Sequence, residues 1–361
     1  MAHAVPKYMF LVNWVKDQIA QGELKYGDKL YSENELCGIF GISRQTVRQA
    51  VGILEQEKYV ERHRGSGTFI VFNKNDHRVP TKKIGVISTY IGEYIFTNIL
   101  KSIEGVLSGS GYTMQLTFTH NKIENERRAL QTMLDSDVDG IIVEPTKSGL
   151  PNPNISLYHD IVHRGIPLVF FNAVYPEESF PVVSLDDTAA GELAARYLLE
   201  AGHERLGALF QSDDIQGRLR YSGFLQALTK ANIPVNGENI IWFTTEDIAD
   251  LSLYPERIVK RLSGCTGVVC YNDQIATRLV RMLRQADILV PEQLSVVSID
   301  NSDLAGMCEV PLTSIANPVT LLGETVASNI LSLIQNPQFD ANKQFAPVIV
   351  ERASVKRITE N

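Results

Sequence analysis

Eight short apolar runs recur between Lys83 and Asp300, and they alternate with helical segments. The runs are KIGVIS, TMQLTF, GIIVEP, PLVFFN, RLGALF, IIWFTT, GVVCYN and LSVVSID. Unbroken apolar runs of this length, separated by amphipathic helices, are typical of buried parallel strands in βαβ units. Because the runs come as two successive sets, the pattern predicts two similar α/β lobes, each built on a parallel sheet, instead of one very large sheet.

The bulk properties fit a globular protein of more than one domain. The 361 residues are too many for one ordinary core, and 44% are hydrophobic against 21% charged. No run approaches the eighteen apolar residues of a membrane span, and the N-terminal residues lack the pattern of a secretory signal. The four cysteines have no CxxC spacing, which favours reduced thiols in a cytoplasmic protein.

The net charge of −8 is distributed unevenly along the chain. Residues 1–80 hold 11 Lys/Arg and 9 Asp/Glu, a balance of +2. The remainder therefore holds 34 − 11 = 23 basic and 42 − 9 = 33 acidic residues, a balance of −10. Only the N-terminal part could approach a polyanion without strong repulsion.

Three helices are predicted within the first sixty residues. Helical spacing of apolar residues predicts the first from Tyr8 to about Gln21. Ser32 followed by Glu35 has the pattern of a capping box, which satisfies free amides at a helix start. We expect Leu36, Ile39 and Phe40 of that second helix to face inward. Ser43 is placed to cap a third helix that runs to about Lys58.

The second and third helices, joined by a turn with Gly41, have the arrangement of a helix-turn-helix. Arg44, Gln45 and Arg48 lie on the polar face of the third helix, near its start, where such helices reach base edges. Arg can bond guanine at two points, and Gln can do the same with adenine. Two short strands around Gly65-Ser66-Gly67 then predict a basic wing, so we expect this part of the chain to bind double-stranded DNA.

Residues 5–72 resemble the winged helix of GntR-type bacterial regulators, through GDKLYSENELCGIFGISRQTVRQAVGILEQEKYVERHRGSGTFI. The resemblance implies that Glu33, Arg44, Arg48 and Gly67 contact an operator. It also implies that Lys7 and Arg64 lie at the DNA backbone or minor groove. We predict a DNA-binding domain over 1–72, a polar linker over 73–83, and a two-lobed effector and dimerisation domain over 84–361.

Polar residues gather where the predicted strands end, which is where ligands bind in parallel sheets. Those of the first set are Ser88-Thr89-Tyr90, Glu144-Pro145-Thr146-Lys147 and Asn172, and those of the second are Ser212-Asp213-Asp214, Tyr271-Asn272-Asp273 and Asp300-Asn301. Amides, carboxylates and cations suit a sugar, whose hydroxyls both donate and accept hydrogen bonds. Tyr90 and Phe96 could supply an aromatic platform for its C–H surface.

The chain after the predicted linker resembles the effector domain of lactose/galactose-repressor-type proteins, a fold shared with periplasmic sugar-binding proteins. The segments HERLGALFQSDDIQGRLRYSGFLQAL, GVVCYNDQIATRLVRMLR and VPEQLSVVSIDNSDLAGMCEVPLTSIANP carry this resemblance, which covers about 83–356. It implies that Arg220, Asn272 and Asp300 bond a sugar, with Lys147 and Tyr90 as further candidates. The combination of both segments resembles the arabinose repressors, which implies a homodimeric repressor that L-arabinose releases from its operator.

Other classes of function remain open at this point. The spacing of His159 and His163 in HDIVH is similar to a metalloprotease motif, but Asp160 replaces the required Glu and no third ligand is evident. We therefore expect no metal site, no cofactor and no catalytic residues. The alternatives are a winged-helix regulator that depends on pyridoxal phosphate, and a repressor that responds to a different sugar or to a sugar phosphate.

Overall fold

The computed structural model describes residues 6–20, 23–63, 65–71, 80–90, 94–250 and 255–358. The chain divides into two compact units, Met1–Val79 and Pro80–Asn361. Of the predicted linker over 73–83, positions 73–79 lie outside the described residues, as does the predicted DNA contact Arg64.

The N-terminal unit contains three helices and one antiparallel hairpin. Their bounds are α1 (Lys7–Ala20), α2 (Glu33–Phe40), α3 (Arg44–Gln56), β1 (Val60–His63) and β2 (Gly67–Ile70). The capping box of α2 is confirmed, since the Ser32 amide donates to the Glu35 carboxylate at 2.7 Å and Ser32 Oγ accepts from the Glu35 amide. Gly41 ends this helix at φ 60°, a left-handed conformation that glycine adopts without strain.

Apolar residues of all three helices and the hairpin form the core of this unit. Val47, Ala50, Val51 and Leu54 make the buried stripe of α3. The prediction that Ile39 faces inward is wrong, because its side chain is 55% exposed. On so short a helix, Leu36 and the half-buried Phe40, whose ring lies 5.1 Å from that of Trp14, fill the contact with the core.

The C-terminal unit has two lobes, and each lobe is built on a six-stranded sheet. The strand order of the first sheet is β13-β7-β6-β5-β3-β4, and all its pairings are parallel. Its strands are β3 (Lys83–Ser88), β4 (Thr113–Phe118), β5 (Gly140–Val143), β6 (Leu168–Phe171), β7 (Val182–Leu185) and β13 (Lys343–Phe345). Its helices are α4 (Phe96–Gly109), α5 (Ile123–Asp135), α6 (Ile155–His163) and α13 (Val319–Gln335). Apolar clusters cover both faces of the sheet.

The second lobe repeats this architecture with the order β14-β12-β11-β10-β8-β9, in which only β14 pairs antiparallel among the described strands. Its strands are β8 (Leu206–Gln211), β9 (Ile240–Phe243), β10 (Gly267–Cys270), β11 (Ser295–Asp300), β12 (Thr313–Ala316) and β14 (Val348–Val350). Its helices are α7 (Asp187–Glu200), α8 (Ile215–Lys230), α9 (Asp247–Asp250), α10 (Pro255–Leu262), α11 (Asp273–Gln285) and α12 (Asp303–Met307).

The chain passes between the lobes three times. It leaves the first lobe after β7, returns after β12 to add α13 and β13, and crosses again to place β14 at the edge of the second sheet. Every one of the eight predicted apolar runs forms a strand, so the prediction of two parallel-sheet lobes is confirmed. Within the described parts of the chain, no helix combines the length and the apolar character that crossing a membrane requires.

Candidate DNA-binding and effector sites

One acidic residue of α2 holds two arginines of α3 in the N-terminal unit. Arg44 Nε donates to the Glu33 carboxylate at 2.9 Å, and Arg48 Nε donates to it at 3.0 Å. These hydrogen bonds, that of Arg44 first, lower the pKa of Glu33 below its ordinary value. Both arginine side chains remain more than half exposed, at 61% and 62%. The two guanidinium groups are therefore oriented by Glu33 and still open to a ligand.

Of the remaining predicted DNA contacts, Lys7, Gln45 and Gly67 belong to the described residues of this unit. Lys7, at the start of α1, and Gln45, on α3, are exposed. Gly67 begins β2 at φ 120°, and a Cβ there would come within 2.5 Å of Lys29 Cε. The end of the Lys29 side chain can move away, but the φ of 120° would strain any residue with a side chain, which favours glycine at this position of the wing. Arg62 ties the hairpin to α3, since its Nη2 donates to the Arg48 carbonyl at 3.3 Å.

A cavity of about 380 Å³ lies between the two lobes, at the carboxyl ends of their strands. This volume is in the range of small-molecule sites. Six of the seven predicted effector residues line the cavity: Tyr90, Phe96, Asn172, Arg220, Asn272 and Asp300. The seventh, Lys147, is not among the lining residues.

On the side of the first lobe, Glu144 is the centre of a buried hydrogen-bond network. Its carboxylate accepts from Ser88 Oγ at 3.0 Å, from Thr89 Oγ1 at 2.6 Å and from Asn172 Nδ2 at 2.9 Å. Burial raises the pKa of Glu144 despite these hydrogen bonds. Asn172 has a positive φ of 64°, and its Oδ1 has no hydrogen-bond partner among the described residues. That oxygen is available to accept a hydrogen bond from a ligand.

On the side of the second lobe, Arg220 is held by two carboxylates. Its Nε donates to Asp187 at 2.8 Å, its Nη2 lies 3.5 Å from Asp300, and its Nη1 donates to the Tyr271 carbonyl at 2.6 Å. The Arg220 side chain is 2% exposed. The guanidinium group is therefore fixed in the wall of the cavity before any ligand arrives, which reduces the entropic cost of binding.

Asp214 lies beside other acidic groups in the same wall. Burial first, and then the charges of Asp213 and Glu144, raise the pKa of Asp214 to about 7. Tyr271 donates to its carboxylate at 3.3 Å. Near neutral pH this carboxyl group can therefore either donate or accept a hydrogen bond.

Asn272 acts at the start of α11. Its Oδ1 caps the helix by accepting from the Ile275 amide at 3.0 Å. The Nδ2 of Asn272 is thereby oriented as a donor, the complement of the acceptor offered by Asn172.

Several hydrogen bonds join the two lobes across the cavity. Tyr94 of the first lobe donates to the Asp300 carboxylate at 2.7 Å, and Asn121 Nδ2 donates to Thr245 Oγ1 at 2.6 Å. Lys147, which follows β5, lies at the edge of the cleft, where its Nζ is 3.1 Å from Asp213 and 2.7 Å from Glu246 of the second lobe. The two lobes are therefore in contact around the cavity.

Glu126, a residue that was not predicted from the sequence, holds the loop that carries Lys147 in position. Glu126 is fully buried on α5 and accepts hydrogen bonds from Tyr158 at 2.7 Å, from Tyr175, and from Asn154 at 2.8 Å. The Thr146 amide also donates to it at 3.3 Å. A buried carboxylate with this many donors sets the position of the loop.

Sequence reasoning missed other residues of the cavity wall. Asn121 and Thr245 follow β4 and β9, so the rule of strand ends could have found them. Tyr94 and Arg278 lie near the start of α4 and within α11, and no local signal distinguishes them from surface residues. They reach the cavity only because the lobes face each other.

The two histidines of the HDIVH segment lie on α6. His159 Nε2 is 3.2 Å from the Glu178 carboxylate, and its ring centroid is 6.4 Å from that of His163. Across the described ranges, no group of three His, Cys, Asp or Glu side chains is arranged to hold a metal ion.

Each of the two units contains a segment that matches a known protein family. Residues 7–70 match the bacterial regulatory proteins of the gntR family, and residues 195–355 match the periplasmic binding protein-like domain. Among solved structures, a LacI family transcriptional regulator from Enterococcus faecium with bound ribose superimposes with a TM-score of 0.65 at 24% identity. That match covers 77% of this chain and 100% of the other, and it supports the two-lobed fold.

Two relatives are similar over nearly the whole chain. The arabinose metabolism transcriptional repressor of Halalkalibacterium halodurans is 40% identical over 341 residues, which are 92% of this chain and 91% of the relative. The protein of the same description from Geobacillus stearothermophilus is 35% identical over 359 residues, 98% of this chain and 99% of the relative. The chain is therefore a transcriptional repressor, and it belongs to the family of the arabinose metabolism transcriptional repressors.

Proposed function

We propose that this repressor binds operator DNA through residues 1–72 and releases it when L-arabinose binds between the lobes of residues 84–361, with 73–83 as the linker. The observation that carries the proposal is the cavity itself. Fixed amide, carboxylate and guanidinium groups from both lobes converge on it, and the relatives of the whole chain are repressors of arabinose metabolism. The mechanism involves no catalytic step.

The charges of the cavity favour a neutral sugar over a sugar phosphate. Glu144, Asp214 and Asp300 line it, against Arg220 and Arg278. Arg220 is already balanced by Asp187 and Asp300. A phosphate group would therefore meet carboxylates in a site of low dielectric, where like charges repel strongly.

The polar groups of the cavity suit vicinal hydroxyls. Asn172 offers an unpartnered oxygen, Asn272 an oriented amide donor, and Asp300 a carboxylate fixed by Tyr94. Tyr90 and Phe96, whose ring centroids lie 5.6 Å apart, offer an apolar surface to the C–H groups of a pyranose. Each hydroxyl would thus find a partner, which discriminates against analogues that lack one.

The N-terminal unit supplies the contacts to DNA in this proposal. Arg44, Gln45 and Arg48 would read bases in the major groove, with Glu33 orienting the arginines. Gly67 would contact the operator from the wing, and Lys7 and Arg64 would lie at the DNA backbone or minor groove. A homodimer would place two such units on a palindromic site. We place the protein in the cytoplasm, where the operator is.

Release requires that L-arabinose bind the DNA-incompetent arrangement more tightly than the DNA-bound one. Since the coupling is reciprocal, operator DNA must weaken L-arabinose binding by the same factor. A tenfold change in operator affinity corresponds to about 1.4 kcal/mol of coupling.

The test is an operator-binding titration with a set of sugars. The full-length protein first selects its site from a pool of random duplexes, and fluorescence anisotropy then measures affinity for the selected duplex. We expect L-arabinose to weaken binding at least about tenfold, and D-arabinose, D-ribose and arabinose 5-phosphate to have little effect. If the protein binds the duplex tightly and L-arabinose changes nothing, the assigned effector is wrong. If another sugar acts instead, the two-lobed mechanism stands with a different ligand.

A further inference from the structure

A second cavity, of about 290 Å³, lies in the second lobe at the end opposite to the interlobe cleft. It is lined by His203, Thr266, Pro291, Glu292, Gln293, Lys356, Arg357 and Ile358. His203 precedes β8 and Thr266 precedes β10, so the cavity lies at the amino ends of strands whose carboxyl ends reach the cleft. Because β8 has six residues, the two cavities are separated by about 20 Å of strand.

Two buried side-chain atoms in the wall of this cavity have no hydrogen-bond partner among the described residues. They are His203 Nδ1 and Thr266 Oγ1. Two other buried atoms lack a partner among the described residues. Asn172 Oδ1 lies in the wall of the first cavity, and Asn317 Oδ1 belongs to a residue whose Nδ2 donates to Asp300. Leaving a buried polar atom unpaired is unfavourable, so such atoms mark places where a ligand can bond.

The hydrogen bonds of His203 define what its free nitrogen can do. Its Nε2 lies 2.9 Å from the Lys356 carbonyl oxygen, which can only accept, so Nε2 carries the proton. His203 is 2% exposed, and this burial lowers its pKa and favours the neutral ring. Nδ1 is therefore an acceptor, and a ligand must offer it a donor such as a hydroxyl group.

The charges around the cavity define the rest of the ligand. Among the described residues that line the cavity, Lys356 and Arg357 are two cations, against one carboxylate, that of Glu292. We propose that this cavity is a second ligand site, which takes a small phosphate ester of a polyol or sugar. Its hydroxyl donates to His203 Nδ1 and bonds Thr266 Oγ1, while its phosphate lies against Lys356 and Arg357.

The backbone around the site makes it a stable part of the lobe. The Lys356 amide donates to Ser295 Oγ at 3.0 Å, and the Ile358 amide donates to the Ala201 carbonyl at 2.7 Å. The cationic rim is thereby attached to the end of α7 and to the first residue of β11. The site is complete within one lobe and does not depend on the arrangement of the two lobes.

Calorimetric titration of the full-length protein tests the assignment, with glycerol 3-phosphate, inorganic phosphate and glycerol as the probes. Each titration is made with and without saturating L-arabinose, so that any binding in the cleft is separated. We expect glycerol 3-phosphate to bind at millimolar concentration or better, inorganic phosphate about tenfold more weakly because it lacks the hydroxyl, and glycerol not detectably. Equal binding of both phosphates would reject the contact with His203, and binding of neither would reject the site.

Two variants and a matched control complete the experiment. Thr266→Val removes the free hydroxyl at constant shape, and Lys356→Gln removes one cation, so each should weaken glycerol 3-phosphate by about tenfold. Lys260→Gln removes the same charge from α10 of the same lobe and should change nothing. Equal losses in both lysine variants would reduce the effect to general charge attraction and overturn the proposal.

L-arabinose and operator binding are measured on the same samples, and both should be unchanged in the two site variants. Because the two cavities lie at opposite strand ends, failure of L-arabinose to bind would contradict the proposed function and leave the phosphate titration readable. If one variant loses L-arabinose and operator binding together with glycerol 3-phosphate binding, its fold is damaged, and the other variant then tests the site.

Discussion

Lys147 of the first lobe donates from Nζ to the carboxylate of Asp213 in the second lobe, at 3.1 Å. The same ammonium group lies 2.7 Å from Glu246, also in the second lobe. Burial alone would lower the pKa of Lys147, but its hydrogen bonds to Glu246 and Asp213 outweigh burial and raise the pKa. Lys147 therefore stays charged, and its ion pairs join the two lobes in this arrangement, which we call closed because the lobes contact each other around the cavity.

Lys147→Gln should weaken L-arabinose binding even though Lys147 does not line the cavity. The closed arrangement loses hydrogen bonds to charged groups, which contribute roughly 1.5–3 kcal/mol each when they are well buried. Since Glu246 is exposed, we expect a smaller loss, about tenfold in affinity. Calorimetry measures it, and Lys101→Gln on the exposed side of α4 is the control. An unchanged affinity would mean that the ion pairs do not contribute to closure.

Arg48→Ala should weaken specific operator binding and leave L-arabinose affinity normal. Each lost base contact costs roughly 1–3 kcal/mol. The matched control is Lys16→Ala, which removes a cation that pairs with Glu57 at 2.6 Å, at the far end of α3 from Arg44. Anisotropy with the selected duplex and with a scrambled duplex distinguishes loss of specificity from loss of charge. Equal weakening on both duplexes would place Arg48 at the phosphates instead of the bases.

Asp300→Asn should give a repressor that still binds its operator but no longer responds to L-arabinose. The substitution keeps the size of the side chain and removes the carboxylate that accepts from Tyr94 at 2.7 Å. Asp303→Asn, on the exposed first turn of α12, is the control. Wild-type L-arabinose affinity in Asp300→Asn would remove this residue from the site.

Arg220→Ala is a less specific test of the same site. Arg220 is fully buried between Asp187 and Asp300, and its removal would leave two buried carboxylates without a counter-charge. Breaking a buried ion pair in this way costs about 3–5 kcal/mol. We expect this variant to lower the melting temperature of the second lobe as well as the sugar affinity, so its loss of binding would have two causes.

Asp214→Asn should change the pH dependence of stability. The pKa of Asp214 is about 7 in the folded protein, against 3.8 as its ordinary value. The stability that Asp214 contributes is therefore fully present below its unfolded pKa, and it is lost as pH rises through 7. Because residue 214 is partly exposed, solvent screening reduces the energetic cost of its charge. We expect the Asp214→Asn variant to have a free energy of unfolding higher than that of the wild type by roughly 2 kcal/mol near pH 8, and the difference should shrink toward pH 4.

Urea unfolding at several pH values measures this effect, with Asp303→Asn as the exposed control. The free energy of unfolding of the control should depend on pH in the same way as that of the wild type. If Asp214→Asn does so too, Asp214 is ionised in the folded protein without cost, and the acidic groups around it are better solvated than their burial indicates.

The strands that carry the cavity were predictable because each is an unbroken apolar run. β3 and β4, for instance, begin and end at the residues of KIGVIS and TMQLTF. β7, β12, β13 and β14 were not among the predicted runs. Of these, β13, with the sequence KQF, and β14 have only three residues each and lie at sheet edges, where β13 has two exposed side chains. A short edge strand has no alternating or apolar pattern, because its pairing depends on a neighbour that is distant in sequence.

The candidate site was predictable to the extent that it follows strand ends. Asn172, Arg220 and Asp300 reach the cavity from β6, from the helix after β8 and from β11. Tyr94 was missed because its role depends on Asp300 of the other lobe. For the same reason, the pairing of Lys147 with the second lobe could not be derived from its place after β5.

The last two strands make both sheets sensitive to truncation of the chain after α13. β13 pairs with β7 in the first lobe and β14 pairs with β12 in the second. A stop codon or a proteolytic cut shortly after α13 would therefore strip an edge strand from both sheets at once, exposing two rows of backbone groups to intermolecular pairing. We therefore expect truncation after α13 to produce aggregation before it produces a repressor that binds its operator but does not respond to a sugar.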